Sequence, residues 1–349
     1  MKRVMLFLLV ALLAAPAFGI TPIGRGPAYD SRFWNWPGGA GIRWMGDIEE
    51  LVEAGTNLGT GNIFYVDSNV TTEGNGTTWT TAKDTLDEAV GLCTADNGDI
   101  IFVAQGHSES LGTGTDVVDI DVAGVTVIGL GTGKLRPLFD YTDYDTGSFA
   151  IGADDVTLCN VQFCANVTDV NEAIEVEAGA EQVTIQNCLF YANSEGTDEF
   201  HECIEQSGAA ADRLTVTGCH FAMGAGGARS GIAFIDSDYA AIVGNVMVGD
   251  YAIADVNNAT TASNHILIAD NVLVNATIGG NAGLNAQPGI ELLATTTGVI
   301  RDNDIVCNLA TMAASIVAAD CYCFRNYYNE DEGGGATGGA IGTASADDS

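Results

Sequence analysis

Between about residues 95 and 328 the apolar residues fall in short alternating runs, with no apolar stripe at helical spacing. One phrase keeps returning: a small or polar turn, two or three alternating apolar residues, then Asn, Asp or Gly, then another apolar residue. It occupies residues 125–129, 156–160, 183–187, 214–218, 241–245, 266–271, 299–303 and, in degenerate form, 323–326. One apolar column runs Val127, Leu158, Ile185, Val216, Ile242, Ile268, Ile300 and Cys323, with steps of 31, 27, 31, 26, 26, 32 and 23 residues. A supersecondary unit of this length, repeated along the chain, is the signature of a solenoid. A second apolar position recurs as Ile174, Ile204, Ile232, Ile253, Ile290 and Ile316, in period-2 runs bounded by Gly, Asn, Asp and Ser. Both patterns predict β-strands. The units are too short for propeller blades, and the helical return segment of a leucine-rich repeat is missing. The expected fold is all-β: a parallel β-helix solenoid of about eight to nine coils, each column residue resting on its equivalent ~4.8 Å away. Asn160 and Asn187, and separately Asn245, Asn271, Asn303 and Asn326, are expected to form ladders at one turn, where their amides satisfy backbone groups that no sheet pairs.

Open solenoid ends invite edge-to-edge pairing and call for caps. Residues 81–93 place Leu86, Ala89, Val90 and Cys93 at helical spacing, which predicts an amphipathic N-terminal capping helix, with Thr80 or Thr81 as N-cap and Asp84 in its first turn. A shorter helix is expected from Asp47, with Glu50 as its capping-box partner. At the very start, Lys2 and Arg3 precede an apolar run over residues 4–15, and Ala15, Ala17 and Gly19 offer small-residue cleavage positions. The expected organisation is a signal peptide over 1–19, a Trp-rich arm over 20–60, the β-helix over 61–330, and a disordered Gly/Ala/Asp tail over 331–349. The expected location is secreted or at a cell surface.

Charge narrows the partners. The chain holds 46 Asp+Glu against 12 Lys+Arg, a formal charge of −34. Nucleic-acid binding needs clustered Lys and Arg, so it is excluded, as is an anionic membrane surface. No stretch after the leader reaches the ~18 apolar residues of a membrane span, so no membrane contact is expected once the leader is cleaved. At 47% hydrophobic residues the chain is no disordered acidic polymer.

The run Tyr65 to Asp67, then Gly74, Asn75, Gly76, Thr77 and Trp79, the helix over 81–93, and Asn97, Gly98, Asp99, Ile100, Ile101, Phe102, Val103, Ala104 and Gly106 form one ordered set. It resembles the opening of secreted right-handed parallel β-helix proteins of the pectate-lyase-like superfamily. The resemblance covers roughly residues 62–328 and implies a right-handed coil. It is specific for fold, because that group includes polysaccharide lyases, glycosidases, phage tail spikes and surface adhesins. Lyase chemistry in the group would require Ca2+ carboxylates beside an Arg or Lys base.

An acidic ladder is the first candidate site. Glu175 and Glu205 each follow the inward Ile of the second strand and should point outward; Glu172 and Glu202 hold matching places three residues earlier. In register, like charges would stand roughly 5 Å apart, an arrangement answered by solvent screening, by bound Ca2+, or by a raised pKa on one partner. Read as chemistry, Glu175 and Glu205 are the candidate catalytic carboxylates, with Arg213 as the nearest basic residue in sequence. Glu172, Glu175, Glu202, Glu205, Asp116, Asp119 and Asp121 are candidate Ca2+ ligands, and Asp140, Asp143 and Asp145 form a second acidic turn without the spacing of a calcium loop. His107, His201, His220 and His265 lack metal-ligand spacing and read as surface or turn residues. Cys188 and Cys219 occupy one place in consecutive units, as a possible disulfide or as stacked free thiols. Trp34, Trp36 and Trp44 are candidate contacts for a sugar or a partner chain. The function expected is a non-catalytic structural or adhesive β-helix, binding Ca2+ or polysaccharide or self-associating through its ends. The alternative is a carbohydrate-active enzyme of the same superfamily.

Overall fold

The structure is a computed structural model. It describes residues 61–341, save 113–116, 144–147, 195–197, 210, 225–227, 259, 276–286, 308–314 and 330–338. The chain divides into two units, 1–53 and 54–349, and every described residue belongs to the second. The leader, the helix expected at Asp47, Trp34, Trp36, Trp44, Asp116 and Asp145 therefore lie outside the described residues.

The chain is a parallel β-helix. Among the described residues its strands fall into three sheets of ten, eight and ten strands, and, apart from the antiparallel Gly339–Ile341 at the end of the third sheet, successive members of each sheet come from successive coils. The eight-stranded sheet closes eight complete coils. One coil shows the plan: Thr157–Cys159, Gln162–Ala165 and Val170–Val176 each pair in parallel with Thr184–Gln186, Leu189–Ala192 and Phe200–Gln206 of the next coil. The repeat phrase thus holds the first strand, a corner and the second strand, and the recurring Ile lies in the third.

The expected column is in register. Val127 pairs with Leu158, then Ile185, Val216, Ile242, Ile268, Ile300 and Cys323 follow, one per coil. On the second sheet face Phe139, Phe163, Phe190 and Phe221 stack through the lumen, with ring centroids 5.5, 5.2 and 4.7 Å apart. The third column departs from expectation at one coil. Ile232 pairs with Val256 rather than Ile253, because the strand there is Ala254–Asn258. Tyr251, fully buried just before it, already fills the lumen.

Corners are made by left-handed backbone. Asn160, Asn187, Gly218, Gly244, Asp270, Asp302 and Arg325 hold φ between 54° and 69° at one corner in consecutive coils. Beside this corner the ladder expected of Asn245, Asn271, Asn303 and Asn326 forms, whereas the Asn160 amide donates to the Gly129 and Gly131 carbonyls instead of joining Asn187. Asn245, Asn271 and Asn303 each donate their backbone N–H to the side-chain oxygen of the next Asn, at 2.9 to 3.0 Å. Their side-chain amides donate back to Val216, Ile242 and Ile268 carbonyls. Cys219 and Cys188 continue this column toward the N-terminus: Cys219 N–H donates to Asn245 Oδ1, and Cys188 N–H to Cys219 Sγ at 3.4 Å. All nine cysteines are free thiols.

The capping helix is shorter than its apolar spacing suggested. It runs Leu86–Val90 and is N-capped by Thr85, not Thr80 or Thr81. Lys83 is already committed to the first strand, Ile63–Val66, through backbone bonds to Tyr65 and Asp67, so the short 3-10 turn Trp79–Thr81 cannot run on into the capping helix. The Glu109 carboxylate accepts the Leu86 N–H, and His107 Nε2 lies 3.2 Å from it. His107 is 1% exposed, which corrects its reading as a surface residue. At the other end, Gly339–Ile341, in the tail expected to be disordered, pairs antiparallel with Asn326–Asn329. No described helix is long and apolar enough to cross a membrane.

Candidate functional site

The acidic ladder lies on the eight-stranded sheet. Glu172 pairs in register with Glu202, and Glu175 with Glu205. Ala173 and Ile174 are both fully buried although adjacent, as are Cys203 and Ile204. Two consecutive inward residues require the strand to bend, and the bend brings residues three apart back to one outer face. Each carboxylate is thereby set beside its equivalent one coil away, and Glu172 feels Glu175, Glu205 and Glu202 together.

The face extends toward the N-terminus. Glu175 pairs with Ala150, which pairs with Asp119. Asp119 in turn takes the Asp87 carboxylate on its backbone N–H at 3.2 Å. Burial, then Asp121 and Asp87, pushes the Asp119 carboxyl up. Burial, then Asp119 and Glu175, does the same to Glu177. Both Asp119 and Asp121 thus belong to the same acidic surface as the glutamates.

Toward the C-terminus the face meets its cation. Arg229 Nε lies 3.4 Å from Glu202 Oε1. Arg213, the basic residue favoured from sequence, instead pairs with Glu181 at a different corner, since its backbone is one of the left-handed corner positions. The signal for Arg229 was present: Asn171, His201 and Arg229 precede Glu172, Glu202 and Ser230, which hold one place in consecutive coils.

Burial dominates the electrostatics. Glu172 is held at a pKa of about 7, first by burial and then by Glu175, Glu205 and Glu202. Glu202, 6% exposed, is also raised to about 7 by burial and by Glu205, against the opposing pull of Arg229. Burial and Glu175 raise Glu205 as well, with Arg229 opposing. Near neutral pH, Glu172 and Glu202 are thus about half protonated, so that each both donates and accepts hydrogen bonds. Such a surface can hold sugar hydroxyls or, once deprotonated, a hard cation.

The ladder carboxylates stand in rows. Among the described residues, two groups bring three ligand atoms within 4.8 Å of one another: Asp169, Glu199 and His201, and Glu73, Asp84 and Glu88. The second group is exposed and already salted by Lys83, which contacts Glu73 and lies 4.0 Å from Glu88. Sequence spacing missed both, since their members lie on different loops or coils. It also missed Asp255, which is fully buried in the lumen with neither carboxylate oxygen hydrogen-bonded to a partner; burial pushes its carboxyl well above the usual range. Asp140, on the neighbouring sheet, is bonded by Asn166 at 3.5 Å and takes no part in the acidic face.

Among solved structures, a rhamnogalacturonan lyase is similar to this chain at 13% identity and a TM-score of 0.39, over 76% of this chain and 87% of that one. No protein-family model matches the chain, and no curated protein matches it.

Proposed function

We propose that the protein is an exported structural or adhesive β-helix that meets its partner through the acidic face, using Glu172, Glu175, Glu202 and Glu205 to bind Ca2+ or carbohydrate hydroxyls. One observation carries this reading: the carboxylates repeat in register, Glu172 over Glu202 and Glu175 over Glu205. A row of equivalent groups suits repeated contacts along an extended ligand, whereas a catalytic centre gathers unlike groups around one reacting atom. The export half of the proposal rests on the basic, apolar and small-residue pattern of the first nineteen residues.

A second reading is favoured by Arg229. An arginine beside buried carboxyls of raised pKa is the kind of acid–base set that a polysaccharide-acting enzyme uses. The two readings separate in one experiment. The protein is incubated with neutral and acidic polysaccharides, with and without Ca2+, while binding, unsaturated-product absorbance and reducing ends are followed. The structural reading expects saturable binding that is weakened in Glu175→Gln and Glu205→Gln, with no product. Product that appears with the parent chain and disappears in Arg229→Ala or Glu205→Ala overturns it in favour of the enzyme.

A further inference from the structure

We propose that Asp169, Glu199 and His201 form a binding site for a first-row divalent transition ion, Zn2+ in the first place, that staples two consecutive coils at the edge of the acidic face. Asp169 leads into the strand Val170–Val176, and Glu199 leads into Phe200–Gln206, the strand paired with it one coil on. His201 is the second residue of that latter strand. Their ligand atoms all lie within 4.8 Å of one another, with His201 Nε2 3.5 Å from Asp169 Oδ1.

Glu199 supplies the second, independent observation. It is 6% exposed, yet no Lys or Arg among the described residues pairs with it. A buried carboxylate without a cation is costly and is normally either neutralised or bound to metal. Burial is the first cause raising its carboxyl; a hydrogen bond from the Asp169 backbone N–H and the neighbouring His201 oppose it, while the Asp169 and Asp198 charges add to it. An ion at this point would relieve the strain between Asp169 and Glu199 and use the imidazole that already faces them.

The donor set decides the class of ion. One imidazole nitrogen and two carboxylates suit Zn2+ and its neighbours, whereas Ca2+ takes six to eight oxygens and finds no use for the nitrogen. Three protein ligands leave a position open to water or to a ligand group from a partner. This site is distinct from the glutamate rows, so its failure would leave the proposed function standing.

The test uses the full chain, tag-free and stripped with a chelator. Zn2+ is titrated by calorimetry, and Co2+ substitution is followed by its visible absorption. The expected result is one saturable Zn2+ site per chain that excess Ca2+ does not displace, weakened more than tenfold in His201→Ala and in Asp169→Asn. Affinity should be unchanged in His220→Ala, a histidine on the exposed face of a neighbouring sheet, and in Glu175→Gln. Far-UV circular dichroism checks the fold of each variant. Should His201→Ala fail to fold, Asp169→Asn, which keeps the size of an exposed side chain, decides alone. Absence of Zn2+ binding, or equal affinity in the parent and Asp169→Asn, overturns the site.

Discussion

At the residue scale, the acidic face is a surface where burial outweighs charge pairing. Glu172 carries the cleanest consequence, because no Lys or Arg among the described residues pairs with it and burial with three other glutamates holds it at about 7. Below the ordinary glutamate range near pH 4.5, the carboxyl is protonated whether the chain is folded or not, and its burial costs nothing. As pH rises toward and through about 7, the folded chain resists losing a proton that the unfolded chain has already given up, and stability falls. Glu172→Gln is therefore expected to match the parent at pH 4 and to exceed it by about 1–2 kcal/mol at pH 8, a figure already discounted for the partial exposure of this carboxyl. Urea denaturation at both pH values, with chelator present, measures it; a gain of equal size at pH 4 would contradict the burial argument. The pairs Glu172–Glu202 and Glu175–Glu205 were legible because each glutamate keeps a fixed distance from a recurring Ile. Arg229 was not picked out, because sequence nearness favoured Arg213, whose side chain the corner turns toward Glu181.

At the scale of the element, the corner ladder is what a coil needs where no sheet continues. Asn271 illustrates the load on one side chain: its oxygen accepts from Asn245, and its amide donates to the Ile242 carbonyl and to Asn303. Asn271→Ala would strand several buried polar groups at once, each costing about 1–3 kcal/mol. A loss of at least about 3 kcal/mol in chemical denaturation is expected, and a loss below about 1 kcal/mol would contradict the ladder's structural role. The column also predicts a tolerated change. Cys219 Sγ already faces the Ile185 carbonyl and the Cys188 N–H, the two contacts that each Asn makes further along. Cys219→Asn should extend the ladder by one coil, with stability unchanged or raised in the same assay; a drop of more than about 2 kcal/mol would mean the lumen there is fitted to sulfur. Sequence alone placed these asparagines on one turn. It overextended the capping helix, because apolar spacing over 86–93 says nothing of the backbone bonds that tie Lys83 to Tyr65. It also placed Ile253 in the third column, because the pattern does not register the aromatic ring of Tyr251 filling the lumen ahead of it.

At the scale of the whole molecule, the account reduces to rungs of one strand spacing, stacked without interruption from the capping helix to the last coil. The acidic face depends on it, since glutamates some thirty residues apart become neighbours only when consecutive coils stack in register. The coil plan was legible because two apolar columns, one through Val127 and one through Ile174, recur along the chain; the middle strand of each coil, with its Phe column, was not read from the pattern. The ends were less so, since caps are single features with no repeat to reveal them. The most direct measurement is a series of distances along one outer column by pulsed electron–electron double resonance, with spin labels on bio-orthogonal residues so that the native thiols stay untouched. Labels at residues 126 and 157 mark one coil step, 126 and 241 four steps, and 126 and 299 six steps. The stacked coil predicts backbone separations that grow linearly at ~4.8 Å per step, reaching about 19 Å for the second pair and about 29 Å for the third. Separations that fail to grow with coil number would contradict the fold and, with it, the acidic face built upon it.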